Sequence, residues 1–192
     1  MIKVAAFNGS PRKNSNTKIL IKCVLDKLEE EEIKTELFHL SGNIKSGCTA
    51  CLKCREKLDK RCVIDTDRLN EYLEKMLEAD GIIIGSPTYF ATLNTETKAF
   101  IDRAGYVSKG NGGLLKRKAG AAVVSVRRAG ALNVFQAINN FYLISGMIVP
   151  GSIYWNLGMG KEEGDVEQDK EGLDTMETLG ENMAWLLKKI ND

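Results

Sequence analysis

Four of the chain's five cysteines fall within CTACLKCREKLDKRC, residues 48 to 62. Cys48, Cys51 and Cys54 stand two residues apart, and Cys62 follows after seven. Thiolates are ligands for soft metals, and three at this spacing converge when a short loop wraps one centre. A [4Fe–4S] cubane takes four thiolates, and Cys62, looping back, completes the set. Structural zinc also takes four, usually as two separated pairs. A loop of free thiols is the third reading. The fifth cysteine, Cys23, lies on the apolar side of a helical pattern and reads as core. The single histidine, His39, sits in a strand pattern and reads as structural.

A second group of candidate residues lies in GSPRKNSNT, residues 9 to 17. The loop follows an apolar run and precedes a helical pattern. A helix N-terminus offers free N–H groups and a positive dipole end to an anion. Ser10, Ser15, Asn16 and Thr17 add short hydrogen-bonding side chains, and Arg12 a guanidinium suited to phosphate. Neither G-x-G-x-x-G nor G-x-x-x-x-G-K-[ST] is present, which argues against a dinucleotide site and a P-loop. The loop suits a monophosphate; its other reading is a turn leading into a capped helix.

Two later loops complete the set. GSPTYF, residues 85 to 90, brings a stiff Pro87, the hydroxyl of Thr88 and the flat faces of Tyr89 and Phe90. The mixture fits a planar ring with polar edges, or aromatic residues plugging the end of a sheet. Ser125, Arg127 and Arg128, at the end of another buried run, offer positive charge for a reduced ring or for a phosphate-bearing donor, or form a solvated basic turn.

The elements that must position these loops are legible from periodicity. Residues 2–7, 35–40, 80–85, 120–126 and 147–155 read as strands. Residues 16–28, 67–77, 95–104, 131–145 and 173–190 read as helices. Residues 106–118 read as a Gly- and Lys-rich loop, whose Lys109, Lys116, Arg117 and Lys118 form a solvated basic turn or a patch for an acidic ferredoxin. Alternation of strands and helices predicts an α/β fold with a parallel sheet covered on both faces. All 192 residues are expected in one domain, with the cysteine loop, about 41–66, as its long insertion after the second strand. The formal net charge of +1 gives no global field that argues for nucleic acid or an anionic membrane, so neither is expected as a partner. No apolar run is of membrane length and the N-terminus lacks a signal-peptide pattern, so a cytoplasmic location is expected.

FNGSPRKNSNT, the compact cysteine loop, ADGIIIGSPTYF, the KAFIDR segment at 98–103 and GMIVPGSIYWN together resemble the iron–sulfur flavoproteins, a branch of the flavodoxin-like NAD(P)H-dependent FMN reductases. The resemblance implies a doubly wound sheet of five parallel strands with FMN at the strand ends. It implies that Ser10, Arg12, Ser15, Asn16 and Thr17 hold the FMN phosphate. Pro87, Thr88, Tyr89 and Phe90 would then contact the isoalloxazine, with Ser125, Arg127 and Arg128 on another side. It further implies a [4Fe–4S] cluster on Cys48, Cys51, Cys54 and Cys62, close to the flavin of a neighbouring subunit in a homodimer or homotetramer. Electrons would pass from a ferredoxin-like donor through the cluster to FMN and on to oxygen, peroxide or a quinone. Two rivals remain: an NAD(P)H-dependent FMN or quinone reductase without a cluster, and a non-enzymatic flavodoxin-like carrier.

Overall fold

The computed structural model describes residues 1–191. Five parallel strands form one sheet: β1 (Lys3–Asn8), β2 (Lys34–His39), β3 (Gly81–Pro87), β4 (Ala119–Val126) and β5 (Leu157–Met159), in the order β2-β1-β3-β4-β5. The chain runs from β1 outward to β2, then returns past β1 to β3. That reversal leaves the loops after β1 and β3 to diverge to opposite sides of the sheet, which opens a crevice at the strand ends.

Strand periodicity explains the two cores. In β1, Val4 and Ala6 face one side while Ala5 and Phe7 face the other; in β3, Ile83 opposes Ile82 and Ile84. One side is covered by α1 (Asn16–Glu30) and α6 (Lys170–Asn191), through Leu20, Ile21, Val24, Leu179, Met183 and Leu187. The other is covered by α3 (Leu69–Glu78), α4 (Thr95–Gly110) and α5 (Ala131–Ile144), through Tyr72, Leu73, Phe100, Ala104, Phe141 and Tyr142. α2 (Lys53–Lys57) is a short helix inside the cysteine loop. No helix among the described residues is long and apolar enough to cross a membrane.

Two elements differ from the sequence reading. The last strand is not residues 147–155. Ile148 exchanges backbone hydrogen bonds with Lys118 and Gly120, and the chain then leaves the sheet at Pro150, which has no N–H to donate. It returns at Asn156, whose side-chain amide donates to the Ala122 carbonyl at 3.0 Å in place of a ladder bond, and β5 starts only at Leu157. The third long helix, α4, does not stop at Ala104. It continues to Gly110, because Val107 and Ser108 are buried by the tertiary structure, and that packing overrides the low helix propensity of Gly105. Gly110 in turn lets the α2 backbone approach, since a Cβ there would lie 2.9 Å from Arg55 Cγ.

Candidate functional site

The crevice beyond β1, β3 and β4 holds a cleft of about 300 Å³. Ser10, Arg12, Ser15, Asn16 and Thr17 line it from the first loop, Pro87, Thr88 and Tyr89 from the second, and Ser125 and Arg127 from the third. Ten of the twelve residues expected to contact a cofactor are therefore brought together. Phe90 and Arg128 are not. Tyr89 and Thr92 pair their backbones in a tight turn whose central residues, Phe90 (φ 48°) and Ala91 (φ 58°), are left-handed. That geometry throws the Phe90 ring fully into solvent. The sequence reading missed a fourth wall, Gly160, Lys161 and Glu162. Asn16 draws it in, donating to the Glu162 carbonyl (2.9 Å) and accepting from the Gly164 N–H (3.0 Å).

Local bonding shows which groups are already committed. Ser15 caps α1, accepting from the Lys18 N–H at 3.2 Å, and the first turn of α1 carries no acidic residue, so its positive end stays open to an anion. Thr17 and Ser125 share a buried hydroxyl–hydroxyl bond of 2.7 Å. Thr88 Oγ1, by contrast, is buried against the cleft with no partner. Behind the first two loops lies a buried polar seam. Gly9 N–H donates to the Gly85 carbonyl (2.8 Å), Asn94 Nδ2 to the Gly9 carbonyl (2.6 Å), and the Ser86 and Thr97 hydroxyls to Asn94 Oδ1 (3.2 and 2.5 Å).

The four clustered cysteines line a second, small cavity between their loop and α4, together with Arg103, Tyr106 and Val107. Cys54 and Cys62 also pack against the hydrophobic core, whereas Cys51 is exposed. Ala50 (φ 52°), Leu52 (φ 57°), Leu58 (φ 54°) and Lys60 (φ 61°) are all left-handed without being glycine. Such residues cost about 1 kcal/mol or more each and concentrate at functional sites. They are interspersed with the cysteines and wind the loop tightly.

Two helices hold the loop through residues the sequence reading did not single out. Asn70 of α3 accepts from the Cys62 N–H (2.8 Å) and donates to the Cys62 carbonyl (3.0 Å). Asn111, at the end of α4, donates to the Cys54 carbonyl (3.1 Å) and accepts from the Lys60 N–H (3.0 Å). The Cys51 thiol is drawn below its ordinary range, chiefly by the Lys53 N–H, while burial raises that of Cys54. Among the described residues no three His, Cys, Asp or Glu side chains gather closely enough for one metal ion. A single zinc needs four sulfurs at about 2.3 Å from one point, whereas a cubane spreads its four thiolates over separate corners.

The remaining candidates lie elsewhere. Cys23 packs under α6 with its thiol pushed up to about 11 by burial, and His39 Nδ1 meets Asn8 Nδ2 at 3.2 Å. Lys118 does not join a basic surface patch: its ammonium turns inward to the Leu77 carbonyl at 2.9 Å.

Comparison with known proteins places the chain among flavoproteins of this fold. Residues 2–162 match the family described as NADPH-dependent FMN reductase. An iron-sulfur flavoprotein of Methanocaldococcus jannaschii is 38% identical, the alignment covering 98% of this chain and 99% of the relative. One of Methanosarcina thermophila is 32% identical over 98% and 97% of the two chains. RosB, solved with 8-demethyl-8-formylriboflavin-5'-phosphate, superposes with TM-score 0.75 at 20% identity, over 100% of this chain and 81% of its own. A flavodoxin from the domain Archaea gives TM-score 0.64 at 18% identity, over 97% and 99%.

Proposed function

This chain belongs to the NADPH-dependent FMN reductase family, in its iron–sulfur flavoprotein branch, and is a flavin-dependent oxidoreductase; from that premise we propose that it passes electrons from a ferredoxin-like donor through a [4Fe–4S] cluster to FMN, and on to oxygen, peroxide or a quinone. The observation that carries this reading is the gathering of all four clustered thiols around one cavity in a fold whose strand-end crevice suits a flavin. Bound there, FMN would supply electron exchange singly or in pairs, and a cluster on the four cysteines would supply one-electron transfer.

The residues present fit both groups. The cleft reaches the lower size of small-molecule pockets. Arg12 and the open end of α1 supply positive charge for a phosphate, while Lys161 is paired with Glu162 at 2.7 Å. The unpaired Thr88 hydroxyl would serve a polar ring edge, and Arg127, on the cleft wall, would offset negative charge on a reduced ring. Cys48, Cys51, Cys54 and Cys62 offer the four thiolates. The cleft and the thiol cavity share no lining residue, which accords with a homodimer or homotetramer in which the cluster of one subunit serves the flavin of another.

The test is composition. Anaerobically purified protein should contain about four iron, four sulfide and one FMN per chain. FMN without iron would replace this reading with a cluster-free NAD(P)H-dependent reductase, which the description of the matched family favours. Replacing Arg12 with alanine should weaken FMN binding about tenfold, the equivalent of about 1.4 kcal/mol, as measured by flavin release on dilution. Unaltered retention would place the phosphate elsewhere.

A further inference from the structure

Arg103 is among the largest fully buried side chains, 1% exposed, on the inner face of α4. Its guanidinium meets Asp67 Oδ2 at 2.5 Å, with neither side chain reaching solvent. It also donates to the carbonyls of Ser46 (3.2 Å) and Ile64 (2.7 Å), both in the cysteine loop. Its Nε has no partner, and the group borders the thiol cavity beside Cys62.

Stapling two carbonyls does not require a charge. Asn70 grips the same loop with a neutral amide. Burying a guanidinium is costly unless it is paired, and the fold supplies Asp67 for that purpose. The pair is also oriented: Arg103 borders the cavity and Asp67 does not. A fixed dipole therefore points its positive end at Cys62.

We propose that Arg103 tunes the iron–sulfur centre, stabilising the negative charge carried by Cys62 and its metal group and raising the potential at which that centre accepts an electron, with Asp67 limiting the effect. The inference rests on the cluster reading above. One electron arrives from the ferredoxin-like donor, which is itself oxidised by one, and adds one negative charge beside Arg103. No bond is made or broken and no proton moves. Reduction potential depends on net charge, burial and hydrogen bonding at the sulfurs, and a buried cation supplies the first of these.

The experiment is a redox titration of the intact, anaerobically loaded protein and two variants, with the cluster followed by electron paramagnetic resonance. Arg103→Gln leaves Asp67 unneutralised and should lower the potential. The reduced-to-oxidised ratio at a set potential should fall about tenfold, the equivalent of about 59 mV for one electron. Asp67→Asn leaves the cation unopposed and should move the ratio by a similar factor the other way. A pair that only braces the loop gives shifts of the same sign, or none, and either result overturns the proposal. If Arg103→Gln takes up no iron, Asp67→Asn decides: an upward shift supports the role and any other result overturns it. Loss of iron from both variants also overturns it. Unaltered protein that lacks iron and sulfide would bring down the cluster reading itself. A loaded parent whose variants shift alike removes only the role of Arg103.

Discussion

Replacing Gly9 with alanine should cost the protein its flavin and much of its stability. A Cβ at this position would overlap Thr97 Oγ1 outright and lie 3.0 Å from both Asn94 Oδ1 and the Gly85 carbonyl oxygen. None of these can retreat cheaply. Thr97 and Asn94 are buried and bonded to each other, and the third atom is backbone in the central strand. Overpacking costs about 1–3 kcal/mol, and a broken buried hydrogen-bond seam adds about 1–3 kcal/mol. For a chain of this size the melting temperature should fall by about 5–15 °C. The same seam ties the loop that carries Ser10 to the strand that leads to Thr88, so FMN affinity should fall by at least about tenfold, the equivalent of about 1.4 kcal/mol. Thermal melts and flavin absorbance per chain measure both effects. Gly151→Ala is the control, since a Cβ there meets nothing within 4 Å. A Gly9→Ala protein with parental melting temperature and flavin content would mean that the seam does not shape the cleft.

Replacing Cys51 with alanine should remove the iron and leave the fold and the flavin in place. Cys51 is the informative thiol because it is exposed, whereas Cys54 and Cys62 pack against the core, so truncating either would mix ligand loss with a cavity. A cubane deprived of one of four thiolates lacks a fixed corner and should be lost on purification, taking iron and sulfide to a small fraction of the parental content. Cys23→Ala should keep its iron, because Cys23 lies under α6 and takes no part in the thiol cavity. Iron and sulfide assays, flavin absorbance and a thermal melt on both variants separate the two cases. Parental iron in Cys51→Ala would sink the ligand assignment. Equal loss from Cys23→Ala would show that iron binding is not specific to the loop.

Much of the fold was legible because its signals are local. IIIG in β3 and AAVVSV in β4 are continuous apolar runs of the kind buried on both faces, and α6 repeats Met176, Leu179, Met183 and Leu187 at helical spacing. The errors fell where a distant contact overrode a local signal. IVPGSIYW has strand composition, but Pro150 breaks the ladder and the Asn156 side chain bridges the gap. Gly105 and Gly110 look like helix breakers, yet α5 and the cysteine loop pack against them.

By itself, the sequence determined the chemistry available: four thiols at close spacing, hydroxyls and an arginine ahead of a helix, and flat side chains after a buried strand. Those follow from residue type and short-range periodicity. Only the tertiary structure decided which of these groups meet. It turned Phe90 away from the cleft through two left-handed residues, brought Lys161 in through Asn16, and set the Arg103–Asp67 pair behind the thiols across 36 residues of chain. Burial and pairing arise from segments far apart in the chain, so no local pattern can encode them.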